Sequence, residues 1–288
     1  MSSNAFLRAP VEKVDLPARG VSIAYRRLGN SGPPALFLHG WPLSGATFRT
    51  VAELLSTEFT CYVPDVPGGG DTEWSGDTDF HWPGQAETMR QLVDRLGLER
   101  YYLVGQNSGA MIARSLALVD GSRIVKLAMT NTEIPHVQPL LWRAYRRCAF
   151  GGGAANALFR VVFRWRWAMR SRFGFGDSFH NRSLIDGEFR EFFLRPLFES
   201  KHRMEGHLRF IQGWSWPYLD AMEQLHAQIG VPTLFIWGED DPILRVEDAE
   251  QMVKQFPDAR LERVKEAKLF VQEERPEKVA ELILNFFR

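Results

Sequence analysis

Short apolar runs closed by glycine or proline recur along the chain, separated by segments whose apolar residues repeat at helical spacing. ALFLHG (35–40), TCYVPDVPGGGDT (60–72), YYLVG (101–105), IVKLAMTN (124–131) and VPTLFIWG (231–238) have the continuous apolar character of buried strands. Between them, residues 77–98 place Met89, Leu92, Val93 and Leu96 on one helical face, with Gly97 near the end. AMIARSLALV (110–119), AEQMVKQF (249–256) and PEKVAELILNFF (276–287) also read as helices. Strands that alternate with helices require crossover connections. The pattern therefore predicts an α/β fold, a mostly parallel sheet with helices on both faces.

The alternation stops between residues 135 and 226, where the segments LLWRAYRRCAF, AANALFRVVFRWRWAMRSRF and DGEFREFFLRPLF read as helices. This divides the chain into a core (1–134), a helical cap inserted over one end of the sheet (135–226) and the return to the core (227–288). Arg143, Arg146, Arg147, Arg160, Arg164, Arg166, Arg170 and Arg172 crowd the insertion, with Trp142, Phe163, Trp165 and Trp167 among them. Such a stretch suits either an anionic surface or a solvated arginine face over a pocket-sealing apolar one. The balanced total, 35 basic against 35 acidic residues, favours the second. It also leaves no reason to expect nucleic acid or a membrane as partner.

With 288 residues and 45% hydrophobic content, the chain can build one sizeable domain. Cys61 and Cys148 make neither a disulfide framework nor a metal-ligand spacing, so neither metal nor cofactor is expected. The N-terminus lacks an apolar segment of signal length, which points to a cytoplasmic protein. A small molecule is the expected partner, and oligomerisation is left open.

In an open parallel sheet, ligands bind beyond the carboxyl ends of the strands. The residues there are His39 to Pro42, Asp65 to Asp71, Asn107, Asn131 to Glu133 and Gly238 to Asp241. HGWP, PDVPGGGDT, VGQNSG and WGEDDPI, in this order and with a helical insertion before the last, resemble the α/β-hydrolase superfamily. The capped epoxide hydrolases and haloalkane or haloacetate dehalogenases are the most similar branch, and the likeness runs from Ser22 onward. The resemblance implies an α/β-hydrolase fold with a nucleophile elbow at Asn107. It also implies oxyanion donors from the backbone N–H groups of Trp41 and Ser108, with His39 supporting the loop. Asp241, or alternatively Glu133, takes the place of the acid that orients a histidine.

The chain departs from that pattern twice. The elbow residue is Asn107, and the position of the general base, within EAKLFVQEERPEKV, is Leu269; no histidine follows His226. Ser108, one residue past the elbow, is expected to point away from the pocket. Asn107 could be an engineered change, a residue that deamidates, or the native residue positioning a ligand through its amide. The first two leave Leu269 unexplained or the base still missing. Trp214, Trp216 and His136 are candidates for lining the pocket, and Asp241, Glu133 or Asp65 for carrying a proton if burial raises a pKa. The expected activity is non-covalent chemistry of lyase, isomerase or cyclase type with a retained oxyanion hole. The alternatives are a hydrolase inactivated by an Asp-to-Asn change and a non-catalytic binding or scaffold protein.

Overall fold

The computed structural model describes residues 4–288. Its strands are β1 (Val11–Leu16), β2 (Val21–Leu28), β3 (Pro34–Leu38), β4 (Thr60–Pro64), β5 (Glu73–Trp74), β6 (Tyr101–Gln106), β7 (Ile124–Thr130), β8 (Thr233–Gly238) and β9 (Ala259–Val264). They form one sheet in the order β1-β2-β4-β3-β6-β7-β8-β9, with β5 paired to β2. β1, β2 and β5 pair antiparallel, as does β2 with β4; every pair from β4 through β9 is parallel. The expected mostly parallel sheet is present, extended by an antiparallel edge.

Successive residues of the central strands serve opposite faces, as the strand period demands. Leu36, Leu38, Leu103, Leu127, Phe235 and Trp237 pack on the side of the helices Trp82–Arg95, Ser108–Asp120 and Val246–Val253. Ala35, Phe37, Val104, Ala128, Leu234 and Ile236 face the helices Arg49–Leu55 and Pro276–Phe287. Both faces are covered, so strands buried on two sides read as unbroken apolar runs.

Between β7 and β8 the chain runs through a series of helices, among them Leu140–Ala149, Gly152–Arg164, Arg166–Arg170, Lys201–Gln212 and Trp216–Leu225. The long helix read from AANALFRVVFRWRWAMRSRF is two, because Trp165 takes an extended conformation (φ −84°, ψ 110°). Buried side chains of this segment, such as Phe159, Phe163, Phe175 and Trp214, merge with the core on the side of the helix that follows β6. No helix among the described residues is long and apolar enough to cross a membrane.

Candidate active site

β6 ends at Gln106 and the next helix starts at Ser108, so Asn107 alone turns the chain. Its φ of 49° and ψ of −127° form a conformation that L-residues adopt only at a cost. The backbone around it holds the turn. Asn107 N–H donates to the carbonyls of Thr130 (3.2 Å) and Asn131 (3.1 Å), and its own carbonyl accepts from Ala110 N–H at 2.7 Å. Glycine makes the turn possible. A Cβ on Gly109 would stand 2.1 Å from the Leu38 carbonyl oxygen, and one on Gly40 would stand 2.7 Å from Ser108 N. The loop after β3 therefore lies directly against the elbow.

Asn107 is only 2% exposed, and its Nδ2 has no acceptor. Its Oδ1 lies 3.3 Å from Ser108 Oγ. Neither Trp41 N–H nor Ser108 N–H has a protein acceptor among the described residues. Three donors are thus left open at the elbow. Buried donors without partners are rare in folded proteins, because each forfeits its hydration.

Ser108 donates its hydroxyl to Glu133 Oε1 at 2.5 Å. Glu133 is fully buried, and burial pushes its carboxyl above the ordinary range despite that hydrogen bond. Asp241, in the loop after β8, accepts from the N–H groups of Ile243 (2.8 Å) and Leu244 (3.1 Å) and from Asn131 Nδ2 (2.8 Å). Burial outweighs these bonds and pushes its pKa up to about 7.

Leu269 is buried and apolar, and the neighbouring Phe270 packs at tilted angles against Phe179, Phe189 and Phe175, at centroid distances of 5.2, 5.3 and 6.3 Å. Leu269 and Phe270 therefore sit in an apolar seam between the core and the inserted helices.

Aromatic side chains from the insertion cover Trp41. His207 lies 4.8 Å from it, Trp214 and Tyr145 5.7 Å, and Phe175 6.1 Å. The ring nitrogens Trp41 Nε1, Trp214 Nε1 and His207 Nε2 are buried without partners. Trp216 is half-buried behind Trp214, at 6.1 Å. His136 corrects the expectation of a pocket-lining residue. Its side chain is 60% exposed and pairs with Glu223 at 3.0 Å, because a left-handed backbone (φ 65°) turns it toward the acids of the helix Trp216–Leu225.

His39 bridges two loops. Its Nε2 accepts from Val66 N–H at 2.9 Å and its Nδ1–H donates to the Gly40 carbonyl at 3.0 Å. Asp65 is occupied by the N–H groups of Gly45 and Asp71, at 2.7 and 2.8 Å.

Sequence reasoning missed Arg114, the single charge in AMIARSLALV. It is fully buried, donating to Thr132 Oγ1 (2.8 Å), the Glu133 carbonyl (2.7 Å) and His226 Nε2 (3.0 Å). His226 passes its Nδ1–H to Gln255 Oε1 at 2.7 Å, and burial lowers its pKa to about 3. Thr132 Oγ1 in turn lies 3.1 Å from the Asn107 carbonyl. A charged residue inside an apolar helix was the signal that could have found this network.

The model of the α/β-hydrolase fold matches residues 33–276. The chain belongs to this family. Haloalkane dehalogenase 2 of Mycobacterium tuberculosis is 26% identical over 260 residues, covering 89% of this chain and 88% of the relative. The epoxide hydrolase CorEH superposes with a TM-score of 0.78 at 22% identity, over 96% of this chain and 98% of the other. The haloalkane dehalogenase DbeA from Bradyrhizobium elkani gives 0.76 at 21% identity, over 96% and 97%. In this member of the family the residue at the turn after β6 is Asn107.

Proposed function

We propose that the protein binds a small organic molecule that carries, or develops, negative charge on an oxygen, and acts on it without a covalent intermediate. Asn107 Nδ2, buried at the elbow with no acceptor, is the observation that carries this reading. Together with Trp41 N–H and Ser108 N–H it forms an oxyanion hole of three neutral donors. An aspartate at the elbow would repel an enolate, phenolate or carboxylate; the amide removes that repulsion. Residues 135–226 act as a cap, whose aromatic rings over Trp41 suit an aromatic or polycyclic ligand.

Lyase, isomerase or cyclase chemistry fits such a site, since it needs positioning, stabilisation of negative charge and a proton carrier. Asp241 is the proton carrier in this reading, because a carboxyl near pKa 7 exchanges protons at neutral pH. The phenylalanine packing around Phe270 speaks against a hydrolase disabled only at position 107. A single change at the elbow would not rebuild the base position as an apolar seam.

The test uses two measurements. After incubation with 1-bromobutane, styrene oxide and p-nitrophenyl acetate, intact mass is expected to show no adduct on the peptide that contains Asn107. By calorimetry, at least one of phenylacetate, salicylate and 2-naphthoate is expected to bind the wild type, and Asn107→Ala to weaken it by roughly 10- to 100-fold, the range for a lost hydrogen bond to a charged group. A stoichiometric adduct at the elbow, no binding by any of the three, or equal binding by the variant would each overturn the reading.

A further inference from the structure

The outer surface of the insertion differs from the rest of the protein in two ways. Between residues 140 and 173 there are eight arginines and no carboxylate, although the whole chain is neutral. Of these eight, only Arg170 has a carboxylate partner among the described residues, Asp186 at 3.1 Å. The same stretch holds most of the exposed large apolar side chains: Leu140 (79%), Trp167 (71%), Phe173 (68%), Phe150, Leu158, Val161 and Trp165.

The two sets share faces. In the helix Gly152–Arg164, Ala155, Phe159 and Phe163 point inward. Leu158, Val161 and the following Trp165 stand three and four residues apart on the outward side, beside Arg164. Trp165 and Trp167 stack with each other at 5.8 Å and are left open to solvent. Trp142 and Phe163 are buried, whereas Trp165 and Trp167 face solvent and so do not roof a pocket.

We infer that this face docks peripherally on an anionic lipid surface, through the exposed aromatic side chains of residues 140–173 and the arginines there that have no carboxylate partner. Tryptophan, phenylalanine and leucine at the level of the headgroups, ringed by arginine, are what such a surface selects. The charge decides the occupant: eight arginines, seven of them without a carboxylate partner among the described residues, complement anionic headgroups, and two copies of the same face would repel. A groove of about 530 Å³ opens beside the patch, lined by Leu140, Leu141, Trp142, Phe173, Pro242 and Ile243. Its inner wall includes Ile243, whose N–H is held by Asp241. This inference revises the sequence-based expectation of no membrane partner, and it stands apart from the reading of the site's chemistry.

Flotation of the full chain with vesicles tests it. Co-flotation is expected with phosphatidylcholine vesicles containing phosphatidylglycerol, and little with phosphatidylcholine alone, with the bound fraction falling steeply as salt rises. Arg147→Gln with Arg166→Gln is expected to lower the partition coefficient about 30-fold, since each arginine near an anionic surface is worth roughly fivefold. Trp165→Ser with Trp167→Ser should reduce it as well; all four side chains are exposed, and circular dichroism confirms that the variants stay folded. No binding to anionic vesicles, binding that ignores salt, or variants that float like the wild type would each overturn the inference. So would sedimentation equilibrium that shows a dimer abolished by the tryptophan changes, because a second copy would then own the face.

Discussion

Asn131 Nδ2 donates to Asp241 Oδ2 at 2.8 Å, while Asp241 Oδ1 accepts from the N–H groups of Ile243 and Leu244. The carboxyl ionises near 3.8 when unperturbed and near 7 in the fold. Between those values the native state holds the proton and the unfolded chain has released it. This group's contribution therefore makes stability fall as pH rises from about 4 to 7, by at most about 4 kcal/mol at roughly 1.4 kcal/mol per pKa unit. Asp241→Asn keeps an oxygen for the Ile243 and Leu244 N–H groups and cannot ionise. It is expected to flatten that part of the stability–pH curve in urea titrations at pH 5, 6, 7 and 8. A variant curve parallel to the wild type would show that the carboxyl is not raised.

Restoring the missing groups one at a time separates elbow from base. Asn107→Asp alone is expected to accumulate a stable ester with 1-bromobutane, visible as a mass increase, because nothing at Leu269 activates water. Adding Leu269→His should release that ester and costs about 2 kcal/mol of stability, since an imidazole replaces a packed apolar side chain. Turnover by Asn107→Asp alone would reveal a base elsewhere in the site.

Arg114 ties the helix after the elbow to the segment Thr132–Glu133 and to His226. Arg114→Met keeps much of the volume and strands those acceptors, so the expected loss is about 3 kcal/mol. Thermal denaturation with calorimetric enthalpy checks it. A change below 1 kcal/mol would mean that the network is not holding the elbow.

Gly109→Ala tests the close approach beneath the turn. A Cβ there meets backbone, the Leu38 carbonyl at 2.1 Å, so neither partner can yield by rotating a side chain. The variant is expected to lose about 2–3 kcal/mol, the range for overpacking a core. An undisturbed melting temperature would contradict the geometry of the elbow.

The parallel sheet was legible in the sequence because strands covered on both faces leave unbroken apolar runs, as in ALFLHG and YYLVG. β9 was missed for the converse reason. At the sheet edge, ARLERV carries charge at Arg260, Glu262 and Arg263, and only Val264 is buried. The elbow was legible from the glycines around Asn107, since close backbone contact excludes a side chain at Gly105 and Gly109 whatever the chemistry above them.

What the sequence alone determined was therefore local: which segments are strands or helices, and where the chain turns sharply, as at Asn107. Only the tertiary structure decided which groups meet. Arg114 and His226 are 112 residues apart and share one buried hydrogen bond, while His136, near the elbow's neighbouring loop, faces solvent. The arginines and aromatics of the insertion read alike in sequence, and folding sorted Phe163 inward and Trp165 outward. Helical periodicity says which residues share a face; which face meets the core depends on the surfaces available from distant parts of the chain, and no local pattern encodes that choice.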